Sequence, residues 1–242
     1  MITHVVFDID DTLMDYYTAE MQVTRALFRE NGLKADQAAL DRCWQMSWHY
    51  WDAENLSRTD LEEVQREYHE RYHRGVLAHC AEMASEYGFS MTAEETYDRF
   101  NELFSQQVTL YDDALPVLDA LRAKGYVLCA ATNGLSRIQE KRTAALDRRI
   151  SHLFCSEALG VVKPTQAFFE QMLRESGTEP RSCMMVGDSL TSDIAGAALV
   201  GMMTVWINRS GKKNTGSILP DYEIHSLDEL LRIVEKIQEG EV

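Results

Sequence analysis

The sequence predicts an α/β protein: a mostly parallel sheet flanked by helices, with an all-α module inserted after the first strand. Three observations carry this expectation. From residue 108 onward, short and nearly continuous apolar runs alternate with amphipathic stretches. Those runs lack the polar alternation of a half-exposed sheet, so they read as strands covered by helices on both faces, the habit of parallel sheets. Residues 15 to 107, by contrast, contain helical patterns and no convincing strand. The expected division is a core domain of residues 1–14 and 108–242 and a helical domain of residues 15–107, each within the usual domain size.

Each element has its own signal. "HVVF" near the N-terminus places Val5, Val6 and Phe7 in a buried first strand. "YYTAEMQVTRALFRENG" is helical and stops at Gly32, and "DRCWQMSWHYWDAENLSRTDLEEVQREYHERYHRG" continues as charged helix. "TAEETYDRFNELF" opens with Thr92 and Glu95 at capping-box spacing. "DDALPVLDALRAKG" carries Pro116 in its first turn and ends at Gly125, the proline-in, glycine-out asymmetry of helices. Four more strands are expected at "YVLCAATN" (126–133), "HLFCSE" (152–157), "CMMVGD" (183–188) and "MTVWIN" (203–208). A last helix, "SLDELLRIVEKIQ", opens with Ser226 and Glu229 at capping-box spacing and repeats apolar residues at 227, 230, 231, 234 and 237.

Composition excludes several classes. The net charge is −15 and no basic stripe offsets it, which argues against a nucleic-acid partner. No apolar run is long enough to span a bilayer, and "MITHVVFDID" lacks a basic segment followed by a long apolar stretch, so neither a secretory signal nor a membrane partner is expected. The five cysteines are scattered, odd in number and free of any C-x-x-C pair, which suits reduced thiols and a cytoplasmic protein.

The chemistry gathers where the strands end. In open α/β sheets, ligands bind outside the carboxyl ends of the strands. Asp8 and Asp10 follow the first apolar run, Thr132, Asn133 and Gly134 the second, and Lys163 lies in "GVVKP", read as the start of a helix. Gly187 and Asp188 follow "CMMV", with Asp193 five positions further on. Four carboxylates, one lysine and one threonine at one rim suit phosphoryl transfer. A carboxylate attacks phosphorus, a second one protonates the leaving group and then activates water, and a lysine and a hydroxyl hold the phosphoryl oxygens. A hard divalent cation such as Mg²⁺ would let the acids tolerate one another.

"DIDDT", of the form D-x-D-x-T, followed in order by "ATNG", "GVVKP" and "GDSLTSD", resembles the haloacid dehalogenase (HAD) phosphatase superfamily, with a Rossmann-like core. The resemblance implies Asp8 as nucleophile and Asp10 as general acid/base. It implies Mg²⁺ held by Asp8, the backbone carbonyl of Asp10 and Asp188, and a phosphate held by Thr132 and Lys163 with Asn133 nearby. Asp193 would orient Lys163 or a metal-bound water. The inserted helical module then corresponds to a cap that closes over small substrates and excludes water. "CSEALGVVKP", "MMVGDSLTSDIAGAALVGMMTVWIN" and "SLDELL" are similar to the noncanonical pyrimidine 5′-nucleotidase branch, implying a pyrimidine nucleoside monophosphate as substrate. A sugar-phosphate or phosphoglycolate phosphatase is the alternative, and a phosphomutase, a dehalogenase or a non-catalytic binding protein lies further off.

Plainer readings compete at several positions. Asp193 also suits an exposed acid in the first turn of a helix, and Lys163 a solvated lysine. Asp11 and Asp15 read as local structure. Trp44, Trp48 and Trp51 share one helical face, which suits the core of the helical domain or its docking face better than a wall stacking a nucleobase. The loop "NRSGKKNTGS", with Arg209, Lys212 and Lys213, reads as an ordinary solvated loop rather than an anion trap. Neither the oligomeric state nor the pathway is legible.

Overall fold

The computed structural model describes residues 1–240. Six strands form its sheet: β1 (His4–Phe7), β2 (Val127–Thr132), β3 (His152–Cys155), β4 (Cys183–Gly187), β5 (Met203–Ile207) and β6 (Tyr222–Ile224). Their order is β3-β2-β1-β4-β5-β6, and every neighbouring pair is parallel. The helices are α1 (Tyr16–Glu30), α2 (Gln37–Ala53), α3 (Glu62–Tyr87), α4 (Ala93–Gln106), α5 (Ala114–Ala123), α6 (Ser136–Thr143), α7 (Ser156–Leu159), α8 (Gln166–Ser176), α9 (Ala195–Val200) and α10 (Asp228–Glu239). The α/β architecture is the expected one. β6 was not anticipated, because a three-residue strand at the sheet edge leaves almost no apolar pattern.

The chain divides into two compact units. One holds Met1–Asp15, Leu110–Ser136 and the residues from Thr143 onward; the other holds Tyr16–Thr109 together with Arg137–Arg142. In the sheet-bearing unit the pleat sends alternate residues to opposite faces. Val5, Phe7, Leu128, Ala130, Met184 and Val186 pack with Leu118 and Leu121 of α5 and Leu230 and Val234 of α10. Val6, Cys129, Ala131, Cys183 and Met185 pack with Phe168, Phe169 and Met172 of α8 and with Ala197 of α9. Both faces are buried, which is why these strands read as unbroken apolar runs. Gly125 sits at φ +87° just past α5, a conformation that a side chain would strain.

α10 departs from its expected cap. Glu229 does reach back, accepting the backbone N–H groups of His225 (3.0 Å) and Ser226 (3.2 Å). The helix, however, starts at Asp228 behind Leu227, and no side chain completes the other half of the box.

The helical unit is built from α1 to α4. Thr92 and Glu95 form the complete capping box at the start of α4, with bonds of 3.2 and 2.8 Å. The charged middle segment, expected to be helical, forms two helices broken between Ala53 and Glu62. Asn55 adopts φ +55° in that break. Arg71 and Arg74 of α3 secure the end of α2, donating to the Glu54 carbonyl (3.2 Å) and the Glu54 carboxylate (2.8 Å). The tryptophan face is not the core of this unit. The fully buried side of α2 is Leu40, Cys43 and Met46, whereas Trp44 and Trp51 are half-buried and Trp48 is 47% exposed. Trp44 meets Tyr17 edge-on at 4.9 Å and Trp48 at 5.8 Å.

Arg142 explains why the segment 137–142 clusters with the helices. It is fully buried, donates from Nε to the Gln107 carbonyl at 3.1 Å, and lies 4.5 Å over the Phe104 ring.

Candidate active site

The strand order reverses beside β1: β2 pairs on one side of it and β4 on the other. Such a switch point leaves a crevice outside the carboxyl ends of the strands, because the connections leave in opposite directions. Asp8 stands at the end of β1 and Asp188 at the end of β4, one on each side of that crevice. The Asp8 N–H donates to the Val186 carbonyl at 2.9 Å, so the ladder carries one step past β1 and holds the Asp8 backbone.

Lys163 binds the cluster together. Its Nζ donates to Asp8 Oδ1 (2.7 Å), Asp193 Oδ1 (2.6 Å) and the Ala131 carbonyl (2.8 Å), so all three ammonium donors are engaged. It is 2% exposed and Asp193 1%, which removes the readings of a solvated lysine and an exposed helix acid. Lys163 also lies ahead of its helix, not at its start, since Thr165 caps α8. The Asn133 side chain grips the lysine's main chain on both sides: Nδ2 donates to the Lys163 carbonyl (2.9 Å) and Oδ1 accepts its N–H (2.8 Å). The Thr132 hydroxyl accepts the Gly134 N–H at 3.0 Å, closing the turn after β2.

Asp193 sits in a single π-turn, Leu190–Ile194, at the start of the segment leading to α9. Its Oδ2 accepts the Ser189 N–H at 3.1 Å. Gly187 makes the close approach possible, because a Cβ there would run into the Asp193 carboxyl group.

Among the described residues, Asp8, Asp188 and Asp193 offer carboxylate oxygens within 4.8 Å of one another. Burial pushes Asp8 up to about 7; Lys163 opposes the rise, while Asp193 and Asp10 add to it. Asp188 is raised well above the usual carboxylate range, first by burial and then by Asp8, Asp193 and Asp11. Burial alone would lower Lys163, but Asp193 and Asp8 outweigh it and keep the ammonium charged. Acids this crowded, with one lysine among them, fit a divalent cation. The all-oxygen donor set suits a hard one. Asp10 is half-buried beside Asp8 but outside the three-carboxylate group.

Comparison with known proteins decides the family. A family model described as haloacid dehalogenase-like hydrolase matches residues 2–201. The chain belongs to the haloacid dehalogenase-like hydrolase family. The pyrimidine 5′-nucleotidase PynA of Streptococcus pneumoniae is 30% identical over 235 residues, covering 96% of this chain and 94% of that protein. A glyceraldehyde 3-phosphate phosphatase of Methanopyrus kandleri is 30% identical over 248 residues, covering 98% and 99%. The solved structure of the HAD-hydrolase YfnB of Bacillus subtilis, bound to magnesium, superposes with a TM-score of 0.82 at 26% identity, covering 96% of this chain and 98% of that one. The protein is thus a HAD-type phosphatase with 5′-nucleotidases among its relatives.

Within this HAD core the structure draws together residues that the sequence motifs named one by one: Asp8, Lys163, Asp188 and Asp193, with Asn133 behind the lysine. It also shows contacts that no motif announced. The Ala131 carbonyl takes the third lysine donor, and the Trp206 indole donates to the Asp188 carbonyl at 2.8 Å. Arg209 is not a solvated loop residue, since it forms a bidentate pair with Asp113 at 3.0 and 2.9 Å. A lone arginine in a polar loop carries no local signal of a partner 96 positions away.

Proposed function

We propose that this HAD phosphatase hydrolyses a pyrimidine nucleoside 5′-monophosphate through an aspartyl-phosphate formed on Asp8. The observation that carries the phosphoryl chemistry is the buried Lys163 ammonium held between Asp8 and Asp193 at the switch point. Lys163 occupies one oxygen of Asp8 and leaves the other to attack phosphorus. Asp10 then protonates the departing ester oxygen, and as a carboxylate it deprotonates the water that cleaves the acyl-phosphate. Thr132 and Lys163 hold the phosphoryl oxygens, for which Lys163 redirects one of its three donors. Asn133 acts through the lysine's main chain, because both polar atoms of its side chain are engaged there. Asp8, Asp188 and the Asp10 carbonyl would hold Mg²⁺, which would supply the positive charge that lets one anion approach another. The helical domain is assigned the part of a lid that excludes water and selects the substrate.

The pyrimidine preference rests on the likeness to PynA and on the motifs of the sheet-bearing unit. A sugar-phosphate substrate is the second reading, favoured by the glyceraldehyde 3-phosphate phosphatase relative. A cytoplasmic setting is supported by the five cysteines, all free and buried, and no described helix is long and apolar enough to cross a membrane.

Phosphate release from UMP, dUMP, dTMP, purine monophosphates, sugar phosphates and phosphoglycolate, with Mg²⁺ and with EDTA, tests the reading. Metal-dependent release favouring pyrimidines is expected, and Asp8→Asn is expected to abolish it while leaving the fold intact. Preference for a sugar phosphate would retain the mechanism and replace the substrate. Appreciable turnover by pure Asp8→Asn would remove Asp8 as nucleophile.

A further inference from the structure

The segment leaving β5, Trp206 to Arg209, touches both loops that bear the acidic cluster, although none of its side chains belongs to that cluster. Trp206 is 5% exposed, and its Nε1 donates to the Asp188 carbonyl at 2.8 Å. Gly187 pairs with Trp206 in the sheet register, so the indole bonds the residue just past its own ladder partner. Three residues on, Arg209 Nη2 donates to the Thr12 carbonyl at 2.9 Å, in the loop that follows Asp8 and Asp10.

The rest of Arg209 is fixed by its surroundings. Asp113 receives both Nη groups, at 3.0 and 2.9 Å, and the guanidinium lies 3.8 Å over the Tyr111 ring. Asp113 is anchored in turn by the Leu227 N–H at 2.8 Å. The Tyr111 N–H donates to the Leu13 carbonyl at 3.1 Å, so adjacent carbonyls of the 12–13 turn are held by one stacked pair. Between the two contact residues, Asn208 locks the turn: its side chain spans the Lys212 N–H (2.9 Å) and carbonyl (2.7 Å) and also reaches Glu223 at 2.6 Å. With its charge matched by Asp113, Arg209 is committed to structure and not to an incoming anion.

We propose that Trp206 and Arg209 are positioning residues: a rigid brace from β5 that sets the spacing between the Asp8–Asp10 loop and Asp188, and through it the affinity of the cluster for its cation. Carboxylates that repel one another drift apart unless their backbones are restrained, and partners outside the ligand set commonly change metal affinity 10- to 100-fold. This inference rests on the metal-dependent phosphatase reading above.

The test uses Trp206→Phe, which keeps the ring and loses the N–H, together with Arg209→Lys and Arg209→Gln. Mg²⁺ binding is read by calorimetry on the full chain, kcat and KM by phosphate release across a Mg²⁺ titration, and folding by urea denaturation. Trp206→Phe is expected to weaken Mg²⁺ about tenfold, with kcat recovering at high Mg²⁺ and KM changed by less than about twofold. Arg209→Lys is expected to restore little over Arg209→Gln, because an ammonium loses the Nη1 arm of the fork on Asp113 and the flat stack over Tyr111. Unchanged Mg²⁺ affinity in folded Trp206→Phe would overturn the brace, and that variant decides the matter if the Arg209 variants do not fold. Rescue by Arg209→Lys with only KM moving would overturn it in favour of anion recruitment. A wild-type protein that neither binds Mg²⁺ nor needs it would overturn the metal dependence together with the brace. Metal-dependent wild type with unaffected variants would overturn the brace alone.

Discussion

Glu20→Gln should make the helical unit more stable above neutral pH and leave it nearly unchanged in acid. Glu20 lies in α1 with no exposed surface, and among the described residues neither of its oxygens has a hydrogen-bond partner of good geometry. Burial pushes its carboxyl from an ordinary value of 4.5 up to about 7, and the nearby Ser47 and Tyr16 hydroxyls offset only part of that rise. The Cys43 and Cys80 thiols also feel its charge, and they too are driven by burial toward the neutral form. Between pH 4.5 and 7 the unfolded chain sheds the Glu20 proton while the folded chain keeps it. Stability is therefore complete below 4.5 and falls as pH rises to about 7, by about 1.4 kcal/mol per unit. The interval amounts to about 3 kcal/mol. Glutamine is close in shape and never ionises, so the difference between variant and wild type should grow across that window and then stay flat. Urea unfolding at a series of pH values measures it, and intrinsic fluorescence reports mainly on this unit, which holds Trp44, Trp48 and Trp51 of the four tryptophans. Parallel profiles for the two proteins would refute the reasoning.

Three further outcomes follow from buried groups. Burial lowers His79 from 6.5 to about 4, so its contribution to stability, present above pH 6.5, is lost as pH falls toward 4, again by about 3 kcal/mol in all; His79→Gln should remove that loss and leave the Glu20 slope unopposed in the same urea series, and a slope like the wild type's would count against it. The Glu20 and His79 effects oppose one another between pH 4.5 and 6.5, so the wild-type profile should be flatter there than that of either variant. Gly187→Ala should drive the Asp193 carboxyl from its seat and break its 2.6 Å pair with Lys163, lowering stability by about 3 kcal/mol and phosphate release with it; normal stability and turnover would show that Asp193 has room to move.

The order of residues along the chain determined the fold class and most of the rim. Apolar runs ending in Asp8, Thr132 and Asp188 announced both the strands and the side chains at their carboxyl ends, because a parallel sheet buries its strands on both faces and opens only at that edge. The helix ends at Gly32, Thr92 and Gly125 were equally local. What lay beyond reach were contacts between distant segments. Whether Lys163 was solvated or buried, and whether Asp193 was a surface acid or its partner, depended on bringing residues 8, 131, 163 and 193 to one point. The tryptophan face stayed ambiguous for the same reason: periodicity defines a side of α2, but the helices packed against it decided that Leu40, Cys43 and Met46 form its buried edge. Arg209 was one charge in a polar loop until the fold set Asp113, Tyr111 and Thr12 around it. Strand and helix follow from neighbours in sequence, since backbone geometry repeats every two or 3.6 residues. Burial, charge pairing and the state of an ionisable group follow from neighbours in space, and only tertiary structure chooses those.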